Sequence, residues 1–208
     1  MAGGIEMRGG VVGDVDDLVG IQFRSPSKEA VAMAGSAAAA QRFQSLLLAQ
    51  GLANGSAEVI VLEVDGTAAG FAELSTGGDV PSLGIVARCA IRAMGLGGAL
   101  KAGWRSLARS AVDMTAAEKG VHLVELQVDP DHRNEGLGAQ LLAEVERIAR
   151  DRGAATLSLT TSIDNPARRL YERNGFVVEA EKRHRRYEAI TGSPGRVLMV
   201  KRLAPTVP

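Results

Sequence analysis

The run Val-Asp-Pro-Asp-His-Arg-Asn-Glu-Gly-Leu-Gly-Ala at residues 128–139 constrains this chain more than any other stretch. An apolar, β-prone segment at 121–128 leads into it, and an amphipathic segment at 138–152 follows. Proline cannot continue a strand ladder, so a strand ends at Asp129-Pro130. Gly136 and Gly138 present backbone without Cβ atoms. The first turn of the following helix carries unpaired N–H groups and a partial positive charge. Strand, glycine loop and helix start, in that order, make a seat for a phosphate or pyrophosphate. The two commonest phosphate loops do not fit: no lysine is followed by a hydroxyl residue, and Leu141 stands where a dinucleotide fingerprint needs its third glycine. Gly95-Leu96-Gly97-Gly98 lies inside an apolar helical stretch and reads as a helix break.

A second run occupies residues 157–176. A strand at 155–162 reaches Asp164-Asn165-Pro166, which offers capping oxygens and then a proline for the first helical position. The short helix carries Ala167, Leu170 and Tyr171 on its inward face and ends at Asn174-Gly175, a glycine C-cap.

Together the two runs resemble the GNAT superfamily of acyl-CoA-dependent N-acyltransferases. Val128-x-Pro130-x-x-Arg133-x-x-Gly136-x-Gly138 is similar to that family's acyl-CoA signature, and Ala167-x-x-Leu170-Tyr171-x-x-x-Gly175-Phe176 to its later motif. The similarity is close over residues 123–176 and rests on element order upstream. It implies one α/β (α+β) domain over 1–208, with a mixed, mostly antiparallel, twisted sheet of about seven strands flanked by helices. The fourth and fifth strands would splay to admit the pantetheine arm, and a helical insertion at about 85–117 would precede the fourth.

By the same resemblance acetyl-CoA is the co-substrate and no metal is needed. The backbone of Leu126, Gln127 and Val128 would run alongside the arm, with the Val128 amide facing the developing oxyanion. Arg133, Asn134, Glu135, Gly136, Leu137, Gly138 and Ala139 would hold the pyrophosphate, Arg133 by a charge-assisted bond or by capping the loop. Tyr171 would act as the acid for the departing thiolate. Two positions depart from the family pattern. Glu135 replaces a basic residue or glycine, so its carboxylate is expected to point to solvent. The asparagine expected seven residues before the tyrosine is Asp164, with Asn165 one residue late; either fills that role, or both only cap the turn.

An acceptor amine must lose a proton before it attacks a thioester. Strict alternation along 121–128 puts Leu123, Glu125 and Gln127 on one face and His122, Val124, Leu126 and Val128 on the other. Glu125 and His122 are the candidate bases, with ordered water as the alternative. The acceptor itself is a primary amine of a small molecule or a protein. A non-catalytic CoA-binding module on the same fold is the competing reading, and an acyltransferase acting on aminoacyl-tRNA a third.

Formal net charge is zero over 208 residues, which argues against broad nucleic-acid binding. A single cysteine, Cys89, cannot form an internal disulfide, there is no charged-then-apolar leader, and no uninterrupted apolar run approaches the ~20 residues that span a bilayer. A cytoplasmic, soluble protein is the expectation, with the insertion and its Trp104 as an acceptor wall or a homodimer surface. Upstream, the pattern predicts a strand at 4–12, a helix at 15–24, one alanine-rich helix from Ser27 to near Gly51, and a hairpin of 58–64 with 68–74 around Asp65-Gly66. Downstream, 176–187 and 196–203 are expected to pair as strands around Thr191-Gly192. The basic run 182–186 would lie on that late strand, as a charged edge or as an attractor for an acidic substrate or the 3′-phosphate of CoA.

Overall fold

The computed structural model describes residues 4–75, 81–114 and 120–203. Its seven strands are β1 (Ile5–Gly9), β2 (Glu58–Val64), β3 (Thr67–Ser75), β4 (Gly120–Val128), β5 (Thr156–Ser162), β6 (Val177–Arg183) and β7 (Gly195–Arg202). They form one sheet in the order β1-β2-β3-β4-β5-β7-β6, in which only β4 and β5 pair in parallel. The helices are α1 (Val15–Arg24), α2 (Lys28–Ala34), α3 (Ala37–Asn54), α4 (Leu83–Ser110), α5 (Leu137–Asp151), α6 (Arg168–Arg173) and α7 (Arg185–Thr191). This is the mixed, mostly antiparallel sheet that the sequence implied.

Two apolar layers sandwich the sheet. On one face α5 buries Leu137, Leu141, Leu142, Val145 and Ala149, a helical stripe, against Leu62, Leu74, Val121, Leu123, Leu157 and Met199. On the other, Leu18 and Val19 of α1 and Leu48 of α3 cover Val59, Val61 and Phe71. The β2–β3 hairpin turns at Asp65 and Gly66, both with positive φ (52° and 78°), the geometry that matches strand twist.

Two expectations need correction. The alanine-rich helix is two, because Gly35 takes φ 90° and Ser36 caps a new start by accepting from the Ala39 N–H. The late hairpin contains α7, so the basic run divides: Lys182 and Arg183 end β6, which is an edge strand, and Arg185 and Arg186 open a helix. Among the described residues one helix, α4, is long and apolar enough to cross a membrane by length and composition alone. Gly95 breaks its helical geometry (φ 72°, ψ 170°), as the glycine cluster predicted. Only Cys89, Ala93 and Ala108 of α4 are buried, whereas Leu96, Leu100, Trp104 and Leu107 are exposed. The helix packs on α2, α3 and α7, and Arg186 of α7 lies over the Trp104 ring, 4.2 Å from its centre.

Candidate active site

The centre of the sheet opens where the two motifs meet. Strands β4 and β5 pair only over residues 120–123 and 156–159. Beyond that, β4 stays with β3 up to the Gly70–Val128 pair, while β5 stays with β7 up to Ser162–Arg196. The two strands therefore part company and leave a gap with backbone on both sides. The Asp129 N–H donates to Ala69 O at 2.8 Å, toward β3. Alternation along a strand then turns the Val128 N–H to the opposite edge, into the gap.

The parting begins at a bulge. Glu125 pairs with Glu73 and Leu123 with Leu74, so Val124 has no partner on β3. One extra residue reverses the alternation above it. Leu123, Leu126 and Val128 consequently all face the α5 layer, and His122, Glu125 and Gln127 share the face covered by α1. The strict alternation read from sequence is corrected here, because it placed His122 opposite Glu125.

Glu125 forms the floor of this face. Gln127 Nε2 donates to it at 2.8 Å and Gln22 Nε2, from α1, at 3.2 Å, but no cation pairs with it among the described residues. Burial pushes its carboxyl up from the ordinary value, an effect that the two amides only partly oppose. His122 sits where β4 and β5 still pair, with Nδ1 3.0 Å from Ser158 Oγ. Burial, then the charge of Arg196, push its imidazole down, which keeps it neutral. Sequence reasoning missed Glu73, which burial first and Glu125 second push up to about 7. A lone glutamate within Ala-Ala-Gly-Phe-Ala-Glu-Leu was the available signal. Gln22, buried on α1, was missed as well.

Tyr171 reaches the gap from the opposite layer. It is buried with Leu137 and Phe176, and meets the Phe176 ring edge-on at 5.9 Å. Its hydroxyl has no hydrogen-bond partner among the described residues. Burial, then the charge of Glu125, raise its pKa well above the usual phenol range, so it stays protonated. The short helix α6 that carries it ends as expected, with Gly175 at φ 86° and the Phe176 N–H donating to Tyr171 O.

The glycine loop is built from backbone. Asn134 (φ 67°) and Gly136 (φ 83°) adopt left-handed conformations, and α5 starts at Leu137 without a side-chain cap. Ala139 and Gln140 donate to Gly136 O, so the preceding amides of the loop and first turn lack helical acceptors. The two glycines serve different ends. Gly136 answers to its dihedral angle, since a Cβ there would meet nothing within 4 Å. At Gly138 a Cβ would come within 3.1 Å of Leu170 Cδ2, so its absence lets α5 close on the second motif. Leu137 is buried and Ala139 half-buried, whereas Arg133, Asn134 and Glu135 are exposed. Glu135 points to solvent as expected and accepts a hydrogen bond from His132 Nδ1 at 3.1 Å. Arg24 of α1 anchors the loop entrance through Asp129 (2.6 Å) and Asp131 (2.7 Å).

Asp164 and Asn165 are both engaged within the protein. Asn165 Oδ1 accepts from the Ala167 N–H and its Nδ2 donates to Thr161 Oγ1, whereas Asp164 accepts from Ser193 Oγ at 2.6 Å. Pro166 lies in the turn, and α6 begins two residues later than expected. No group of metal-ligating side chains occurs among the described residues.

Comparison with known proteins agrees with this architecture. Residues 30–176 match the Acetyltransferase (GNAT) family. The streptothricin acetyltransferase of Streptomyces lavendulae is 35% identical over 68 residues, 32% of this chain and 36% of that protein, so the match spans about a third of the relative's length. A GNAT-family protein of Desulfovibrio desulfuricans superposes with a TM-score of 0.61 at 22% identity, covering 97% of this chain and 100% of the other. The PaiA N-acetyltransferase of Thermoplasma acidophilum, solved in complex with coenzyme A, gives 0.60 at 18% identity, covering 96% and 99%. The ribosomal-protein-S18-alanine N-acetyltransferase of Escherichia coli gives 0.59 at 17%, covering 98% and 97%. At such identities these structures speak for the fold, and the family match speaks for descent: the chain belongs to the GNAT family of acetyltransferases.

Proposed function

We propose that this chain transfers an acetyl group from acetyl-CoA to a primary amine by direct attack within a ternary complex. The observation that carries the reading is the gap between β4 and β5, which begins at the Val124 bulge and has Glu125 and Tyr171 on its two sides. Bound acetyl-CoA would supply an activated thioester. The left-handed loop at Asn134 and Gly136 and the uncapped start of α5 fit its pyrophosphate. The amides of Arg133 through Gly138 would hold the phosphates, with Ala139 closing the first turn behind them and the Arg133 guanidinium free to add charge. Leu126, Gln127 and Val128 would present backbone to the arm, and the Val128 N–H would face the developing oxyanion.

Glu125 would take the proton of the entering amine, since its raised pKa suits proton transfer near neutrality better than an ordinary carboxylate would. His122 lies where the strands still pair and would support Glu125 through water. Tyr171 would donate its O–H to the leaving sulfur; a phenol that never ionises is a permanent donor. Asp164 and Asn165 would act by holding the turn that delivers Tyr171. The test is release of CoA thiol from acetyl-CoA over a panel of primary amines. Turnover that collapses in Tyr171→Phe while acetyl-CoA affinity persists supports the reading. Tight CoA binding without product on any amine would instead favour a non-catalytic CoA-binding module.

A further inference from the structure

The acceptor side of the gap is acidic in a way that the family assignment does not require. Glu73 and Glu125 face each other as cross-strand neighbours on β3 and β4, on the same face of the sheet. Neither has a cation partner among the described residues, and Glu73 has no hydrogen bond there. Like charges directly opposite across a sheet destabilise it. The third nearby carboxylate is neutralised, because Glu29 of α2 accepts from Arg196 at 2.6 Å and pairs with Arg109 at 2.9 Å. Both arginines are thus engaged by Glu29, and Arg196 reaches the pair only through its longer-range charge, which partly offsets the rise at Glu125.

An independent observation points to a ligand at the same place. Gln22 is only 7% exposed, and its amide is aimed at this site through the bond to Glu125. Its Oε1 nevertheless has no donor. A buried acceptor without a partner is costly, and such a group usually awaits a ligand or water. Once ionised, the two carboxylates join the orphaned amide oxygen in offering only acceptors, the complement of an ammonium with its three N–H donors.

We propose that Glu73, Glu125 and Gln22 form an acceptor subsite selective for cationic alkylamines that carry no carboxylate of their own. The proposal rests on the acetyltransferase reading and adds the acceptor's charge class. The acceptor arrives as R–NH3+ and gives one proton to the carboxylate pair. The neutral nitrogen then bonds to the thioester carbon as the C–S bond breaks. The second nitrogen proton passes to the sulfur by way of Tyr171. One acetamide, one CoA thiol and one proton released to solvent result. The groups facing the pair are Gln22 from α1, Glu29 from α2, His122 and Gln127 from β4, Tyr171 from α6 and Arg196 from β7.

The test compares 1,4-diaminobutane, butylamine and 4-aminobutanoate as acceptors, in the wild type and in Glu73→Gln. The expected result is kcat/KM for the diamine on the order of tenfold or more above that for the amino acid, with the gap narrowed in Glu73→Gln mainly through KM. The acid limb of the pH profile should also move to lower pH in that variant, because the like charge beside Glu125 is gone. Equal use of all three amines, or a Glu73→Gln profile that overlays the wild type, would overturn the proposal. Where none turns over, calorimetric binding of the same amines to the CoA complex decides it: preference for the diamine that Glu73→Gln abolishes supports the subsite, and no preference overturns it. A protein that binds no acetyl-CoA at all would sink the acetyltransferase reading first, which keeps the two failures distinct.

Discussion

The two sides of the central gap are built from different material. The side proposed for the cofactor is backbone: a strand edge, two left-handed residues and an uncapped helix start. The side proposed for the acceptor is side chains: Glu73, Glu125 and Gln22, drawn from three elements far apart in sequence. A backbone site demands particular dihedral angles and leaves glycine and proline signatures in a short run of residues. A side-chain site demands only that carboxylates arrive together, and many sequences can deliver that. The contrast explains why this family membership says much about the acyl donor and little about the acceptor.

The sharpest way to break that contrast is at the one side chain that reaches the gap from the cofactor layer. Tyr171→Phe should lower kcat by about a hundredfold or more, the usual scale for a lost proton donor. Acetyl-CoA affinity and melting temperature should hardly change, because the hydroxyl has no protein partner among the described residues. Steady-state kinetics beside a thermal melt would check it, and a parallel loss of stability would mark Tyr171 as a packing residue.

On the backbone side, Gly136→Val forces a β-branched residue into φ 83°. A left-handed conformation costs an L-residue about 1–2 kcal/mol, and more for this shape. Acetyl-CoA binding should weaken by about tenfold, although a Cβ there would touch nothing in the protein. Unchanged affinity would show that the loop's geometry is not what seats the phosphate.

On the acceptor side the effect on stability has a definite sign. Glu73 carries a raised pKa of about 7, so the fold favours its protonated form. That contribution is fully present below the ordinary carboxylate pKa and is lost as pH rises through about 7. Glu73→Gln should therefore melt a few degrees above the wild type at pH 8, with the difference vanishing near pH 4. Thermal melts at the two pH values would read it, and a variant less stable at pH 8 would contradict the like-charge account.

The smallest effect is expected where the two sides are tied together. Arg24 of α1 grips Asp129 and Asp131 at the loop entrance, but its guanidinium is exposed. Arg24→Ala should weaken acetyl-CoA binding only a few-fold, and 0.5 M salt should mimic it.

What was legible in the sequence follows the same division. Asp129-Pro130, Gly136, Asn174-Gly175 and the Asp65-Gly66 turn each force one local geometry, and the structure has it. The bulge at Val124 left no such mark. Valine sits as well in a bulge as in a ladder, so strict alternation placed His122 and Glu125 on opposite faces when they share one. Glu73 was hidden for a related reason: its partner lies 52 residues on, and only register brings the two carboxylates together. The split between α2 and α3 at Gly35 and the insertion of α7 were lost in alanine-rich and charge-rich stretches whose helical tendency is even along their length.

The central claim is that the β4–β5 gap and the loop beside it hold acetyl-CoA for transfer. Isothermal titration of the purified protein with acetyl-CoA, beside free CoA and NAD, tests it most directly. Micromolar binding of acetyl-CoA and CoA with none of NAD is the result expected. No heat with acetyl-CoA at millimolar concentration would contradict the account and leave the chain a fold that has lost its ligand.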